Sequence, residues 1–128
     1  MADNPLVFVA TNTLKPGALD AERARVRDLV AFIEREEPQL LGFNEYANAD
    51  GTEVTVVQIH PDMASLRRHV ALVRERAEAA YRETLGATVA IQVYGPVDDG
   101  MLDGLRAQAG QGVRLTVARE HLGGFLRS

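Results

Sequence analysis

Cysteine and tryptophan are both missing from this chain of 128 residues, and aromatic side chains make up only 5% of it. Without cysteine there can be no disulfide, no thiolate nucleophile and no Cys-ligated zinc or iron–sulfur site. Long apolar runs are absent too: none approaches the roughly 20 residues that span a bilayer. The opening "MADNPLVFVA" has no basic stretch ahead of a cleavable apolar segment. Positive charge is scarce. The formal net charge is -4, and the arginines alternate with acids, as in "ERARVRD" and "VRERAEAAYRE". That is the pattern of solvated helix faces, not of a phosphate-binding surface. Neither GxSxG, a P-loop, GxGxxG nor HExxH occurs, which removes the commonest hydrolase, nucleotide, dinucleotide and zinc-protease chemistries. The expectation is a single cytoplasmic domain with no cofactor or metal and no nucleic-acid or membrane partner.

What is present is a regular alternation of strand and helix patterns. "PLVFVATNTL", Pro5 to Leu14, is rich in strand formers and is stopped by "KPG". From Ala18 to Glu36, Leu19, Val26, Leu29, Val30 and Ile33 recur at helical spacing, and Pro38 ends the segment. "LLGFNEYAN" (40–48) and "TEVTVVQIH" (52–60) read as antiparallel strands joined through "ADG", with Gly51 taking a positive φ. Asp62 then caps a helix whose apolar face runs Met63, Leu66, Val70, Val73, Ala77, Tyr81, and Gly86 is expected as its left-handed cap. "ATVAIQVYG" (87–95) is a fourth strand.

The order βαββαβ is that of a ferredoxin-like α+β protomer, one antiparallel sheet carrying two helices on one face. The strands are apolar on both faces: Leu6, Phe8 and Ala10 alternate with Val7 and Val9, and Val57 and Ile59 face away from Val54 and Val56. Two helices cover one face only. The other is expected to meet a second copy of the chain, giving a homodimer, because burial is worth about 25 cal/mol per Å². Beyond this core (5–95), residues 96–128 form an extension. It comprises a weak helix over 97–110, begun by the acidic cluster Asp98, Asp99 and Asp103, and a half-exposed strand over 112–120. That strand must add to an edge of its own sheet or of the partner's. Gly123 and Gly124 are expected to let Phe125 dock.

"VATNTLKPG" leading into the first helix, "LLGFNEYANADGTEVTVVQIH" across the hairpin and "MASLRRHV" opening the second helix resemble the antibiotic biosynthesis monooxygenase family. The resemblance covers about residues 5–95. It implies a dimeric α+β barrel and a cofactor-independent monooxygenase acting on a small aromatic or quinol substrate. The superfamily also holds haem-degrading enzymes, which use an asparagine on the first strand, a tryptophan on the third and a histidine on the second helix. Asn12 and His69 match two of these, but His60 stands in the tryptophan's place. Haem binding or degradation therefore ranks below both oxygenation and a non-enzymatic small-ligand binder.

The candidate residues follow from histidine chemistry and strand alternation. An imidazole titrates near neutrality, so His60 is the expected base toward a phenol or enol, with His69 beside the pocket and Asn12 as the third catalytic candidate. Period two places Gln58 with His60, Asn44 with Tyr46, and Thr88, Ala90, Gln92 and Tyr94 together. Tyr46, Asn44, Gln58, Gln92 and Tyr94 are thus the expected substrate-binding residues, orienting groups in an apolar pocket.

Overall fold

The computed structural model describes residues 4–127. In chain order it contains β1 (Leu6–Leu14), α1 (Leu19–Glu36), β2 (Gly42–Ala47), β3 (Glu53–His60), α2 (Met63–Glu83), β4 (Leu85–Tyr94), α3 (Asp99–Ala109) and β5 (Arg114–Ala118). The strands form one sheet in the order β2-β3-β1-β4-β5. All neighbours are antiparallel except β4 and β5, which run parallel. This is the expected α+β, ferredoxin-like arrangement with a helix–strand extension, and the added strand takes the free edge of its own sheet.

β1 lies at the centre and its alternation defines both faces. Leu6, Phe8, Ala10, Asn12 and Leu14 are buried on the inner face, beneath the helices, whereas the residues between them are half-buried. On β3 the inner residues are Val54, Val56, Gln58 and His60, paired across from the inner residues of β1. The outer face carries Val7, Val9, Val57 and Ile59, and a Thr11–Thr55 hydroxyl contact of 2.9 Å.

Local signals set the element ends. The Asp62 carboxylate accepts a hydrogen bond from the Ser65 N–H at 2.9 Å, starting α2. Asp98 does the same for Met101 at the start of α3, at 2.8 Å. Gly51 has φ 70° in the hairpin, where the Asn48 side-chain oxygen also accepts from the Thr52 and Glu53 N–H groups. α2 stops earlier than expected, with Thr84 as its cap. Gly86 is not a left-handed cap: it lies within β4, where a Cβ would sit 2.4 Å from the Thr13 hydroxyl oxygen. Glycine is needed there for close approach between strands.

β4 also breaks its own alternation. Asn12 pairs with Thr88 and Thr11 with Ala90, so Val89 is an extra residue, a β-bulge. Thr88 keeps to the inner face, but from Ala90 onward the inner positions are Ile91 and Val93. Ala90, Gln92 and Tyr94 therefore point outward and do not share a face with Thr88.

The extension is continuous with the core. Leu102 and Leu105 of α3 are buried in one cluster with Leu6, Phe8, Leu66 and Val93. Residues 119–127, past β5, have no helix or strand, and Leu122 and Phe125 are 91% and 77% exposed. Phe125 does not dock.

Two glycines separate strain from flexibility. Gly95 has φ 106°, and a Cβ there would meet the Pro5 carbonyl oxygen at 2.5 Å. Gly104, inside α3, has open space around it. Gly95→Ala is expected to lower stability by about 3 kcal/mol. Gly104→Ala should raise it by about 1 kcal/mol. Urea denaturation midpoints measure both.

Candidate active site

A cavity of about 520 Å³ lies between the inner sheet face and the helices, within the range of small-molecule pockets. Small residues make the space: Ala10 on β1 and Ala77 and Ala80 on α2 face into it. Larger apolar side chains, among them Phe8, Val56, Leu29 and Val73, form its walls, and Leu105 and Ala109 of α3 complete them. The extension thus helps to shape the pocket.

His69 lines this cavity from α2. Its Nδ1 lies 2.8 Å from Oε2 of Glu37, the residue that caps α1. Glu37 is buried, and its other carboxylate oxygen has no hydrogen-bond partner among the described residues. A carboxylate on Nδ1 holds the proton there, which leaves Nε2 with its lone pair available to the cavity, and it would stabilise an imidazolium. Phe43, with its ring centroid 5.8 Å from that of His69, holds the imidazole from the sheet side.

His60 is placed differently. It is completely buried and does not line the cavity. Its Nδ1 lies 2.8 Å from the Ser65 hydroxyl and its Nε2 2.9 Å from Oε1 of Gln58. Because that amide oxygen can only accept, Nε2 carries the proton and Ser65 donates to Nδ1. Burial, reinforced by the neighbouring His69 and opposed by Asp62, lowers its pKa to about 4. His60 is a neutral, fully bonded imidazole behind the pocket wall.

A second polar cluster lies under α1. Arg25 donates two hydrogen bonds to Glu22, Nε to Oε1 at 2.7 Å and Nη2 to Oε2 at 2.6 Å. Thr84 donates to Glu22 Oε1 at 2.6 Å. Glu45 of β2 lies 3.6 Å from Arg25 Nη2, and both Arg25 and Glu45 line the cavity. Burial works against the Glu22 charge, but the bonds from Arg25, Glu45 and Thr84 outweigh it and hold its pKa at about 2. Burial and the adjacent Glu22 carboxylate push Glu45 up to about 8, against the pull of Arg25. One positive and one negative charge then balance, and Glu45 stays protonated.

Asn12 is buried on the inner face of β1 and lines the cavity. Its Oδ1 accepts from the Tyr81 hydroxyl at 2.6 Å and the Thr88 hydroxyl at 2.8 Å. With the oxygen so occupied, the amide N–H₂ is what it can offer a ligand.

Of the expected site residues, Asn12, Gln58 and His69 line the cavity and His60 backs it. The other four are on the opposite side of the sheet. Asn44 and Tyr46 pair with Val57 and Thr55, outer positions of β3, and Gln92 and Tyr94 pair with Val9 and Val7, outer positions of β1. The inner residues of β2 are instead Phe43 and Glu45. Glu22, Arg25, Glu37 and Glu45 formed no part of the expected site. A signal for two of them is in the sequence: Leu19, Glu22, Val26, Leu29, Ile33 and Glu37 follow one helical stripe, which puts two acids on the buried face of α1. No three His, Asp or Glu side chains among the described residues cluster as metal ligands.

No protein-family model matches this chain. No curated protein matches it either. Solved structures do. MupZ from Pseudomonas fluorescens superposes with a TM-score of 0.71 at 19% identity, over 95% of this chain and 96% of that one. An antibiotic biosynthesis monooxygenase aligns with a TM-score of 0.61 at 21% identity, over 73% of this chain and 99% of that one. The chain has the fold of these proteins. Rv0793 from Mycobacterium tuberculosis gives a TM-score of 0.60 at 25% identity, over 74% of this chain and 97% of that one. The last two matches are about as long as the βαββαβ core, whereas the MupZ match takes in the α3–β5 extension as well.

The buried state of His60 has a consequence for stability. In the unfolded chain a histidine takes up its proton near pH 6.5; in the fold it does so at about 4. Between these values the unfolded state binds more protons, so stability present above pH 6.5 is lost as the pH falls toward 4. The loss attributable to this residue is roughly 3 kcal/mol over the window. His60→Gln should lack that component, seen as a smaller separation between urea midpoints at pH 7 and pH 4.5 than in the native protein.

Proposed function

We propose that this protein is a cofactor-independent monooxygenase acting on a small aromatic or quinol compound, with His69 as its base. The observation that carries this reading is the Glu37–His69 pair presented to an apolar cavity. His69 Nε2 takes the proton of an acidic hydroxyl or activated C–H, and Glu37 stabilises the imidazolium. The electron-rich anion, sheltered among apolar walls, reacts with dioxygen directly. For an activated ring methylene the balance is CH₂ + O₂ → C=O + H₂O: one oxygen atom enters the product and the other leaves as water. Asn12 orients the substrate oxygen through its amide N–H₂. The base role expected of His60 passes to His69, because both nitrogens of His60 are already bonded and its ring is shut away from the cavity.

The working unit in this reading is a homodimer. Support comes from the outer sheet face, where Val7, Val9, Val57 and Ile59 form an apolar centre that no helix or strand among the described residues covers. A second copy seated there would place Asn44, Tyr46, Gln92 and Tyr94 between the subunits, away from the substrate.

Oxygen uptake with anthrone and a panel of quinols tests the catalytic assignment. His69→Ala should lower the rate about 100-fold or more, while His60→Gln should leave it within about tenfold at pH 7.5 once folding is verified. Equal rates for His69→Ala and the native protein would remove the proposed base.

A further inference from the structure

The cavity holds a second group suited to moving a proton, at a distinct place on its wall. We propose that Glu45 donates to the carbonyl oxygen of the substrate while His69 removes the adjacent α-proton, so that the site interconverts ketone and enol before any oxygen is involved. This inference rests on the assignment of His69 as base. It specifies the substrate class as a small, uncharged, largely apolar ketone with an acidic α-C–H.

The geometry sets Glu45 apart from its neighbour. Glu22 is fully engaged, held by Arg25 through both oxygens and by Thr84. Glu45 rests its proton against the Glu22 carboxylate, lies 3.6 Å from Arg25 Nη2 and lines the cavity, where a substrate carbonyl can take that proton in place of Glu22. It lies two residues from Phe43 on the same inner face of β2, and Phe43 packs against the His69 ring. Glu45 and His69 therefore border the same cavity of about 520 Å³, on either side of Phe43. The charged or titratable groups facing Glu45 are Glu22 and Arg25 from α1 and, across the cavity, His69, Arg76 and Tyr81 from α2. From β3 its partner is the apolar Val56. Its pKa of about 8 keeps the proton in place at neutral pH. Arg25 is paired with Glu22 and Arg76 lies over the Phe32 ring, so one carboxylic acid and one carboxylate-supported imidazole are left to a ligand in an apolar pocket, and these suit a carbonyl compound.

The step balances without an oxidant. The α-C–H bond breaks and its proton goes to His69 Nε2. The electron pair forms the C=C bond while the carbonyl π pair takes the Glu45 proton. Enol, imidazolium and Glu45 carboxylate result, and proton exchange with water or the reverse step restores both groups.

Deuterium incorporation from D₂O at the α-carbon of anthrone and β-tetralone, followed anaerobically by mass spectrometry, tests this. The native protein should accelerate exchange for at least one of the two, and Glu45→Gln and His69→Ala should each lose about 100-fold or more of it. The native exchange rate should fall above pH 8 as Glu45 loses its proton. No acceleration by the native protein, alongside oxygen uptake that still depends on His69, would overturn this inference and leave the oxygenase reading standing. Failure of both assays would remove that reading as well. A Glu45→Gln protein with undiminished exchange also overturns the role of Glu45. Should that variant not fold, ¹³C NMR titration of the native glutamate carboxyls decides: a Glu45 resonance titrating near 8 supports the proposal, and one near 4.5 overturns it.

Discussion

A bidentate pair between Arg25 and Glu22 on the inner side of α1, its carboxylate buried and its guanidinium partly so, ties together the elements around the cavity. Glu22 also accepts from Thr84 at the end of α2, and Arg25 reaches Glu45 on β2. An ion pair taken out of water is tolerated only when its remaining hydrogen-bonding positions are met. Here three donors meet those of Glu22, and the arrangement fixes α1 against the end of α2 and the edge of the sheet. It has an electrostatic effect on its neighbour too. A third charge beside an already neutral pair would be uncompensated, so Glu45 keeps its proton.

His60 and His69 show how the same side chain acquires opposite properties within one core. Their ring centroids are 5.7 Å apart. His60 is bonded at both nitrogens by uncharged groups and is buried beyond the reach of ligand. His69 has a carboxylate on one nitrogen and the cavity beside the other. Proximity in sequence to a strand end, which drew attention to His60, says nothing about these partners. Glu37 is 32 residues from His69, and the sheet and helices bring them together.

The cavity itself reflects imperfect filling of a two-layer fold. Ala10, Ala77 and Ala80 meet where larger residues would close the space, and α3 returns over part of the opening. The core below is well occupied: Leu6, Leu66 and Val93 are almost wholly inaccessible. Rigid packing at one end and small residues at the other place a pocket within an otherwise ordinary helix-on-sheet layer.

The sequence by itself determined the order of elements, the two apolar faces of the central strands, the caps at Asp62 and Asp98 and the hairpin at Gly51. All follow from local periodicity and from backbone preferences spanning a few residues. It also held the clue that Glu22 and Glu37 lie on the buried stripe of α1, although alternating charge nearby looks like a solvated surface. Only tertiary structure decided which residues meet at the cavity. The bulge at Val89 turned Gln92 and Tyr94 away from it, because one inserted residue reverses a period-two pattern. The face of β2 was decided likewise, putting Phe43 and Glu45 inward and Asn44 and Tyr46 outward through pairing with β3. Partnerships such as His69 with Glu37, or Glu45 with Glu22 and Arg25, depend on contacts between distant segments, and no local pattern encodes them.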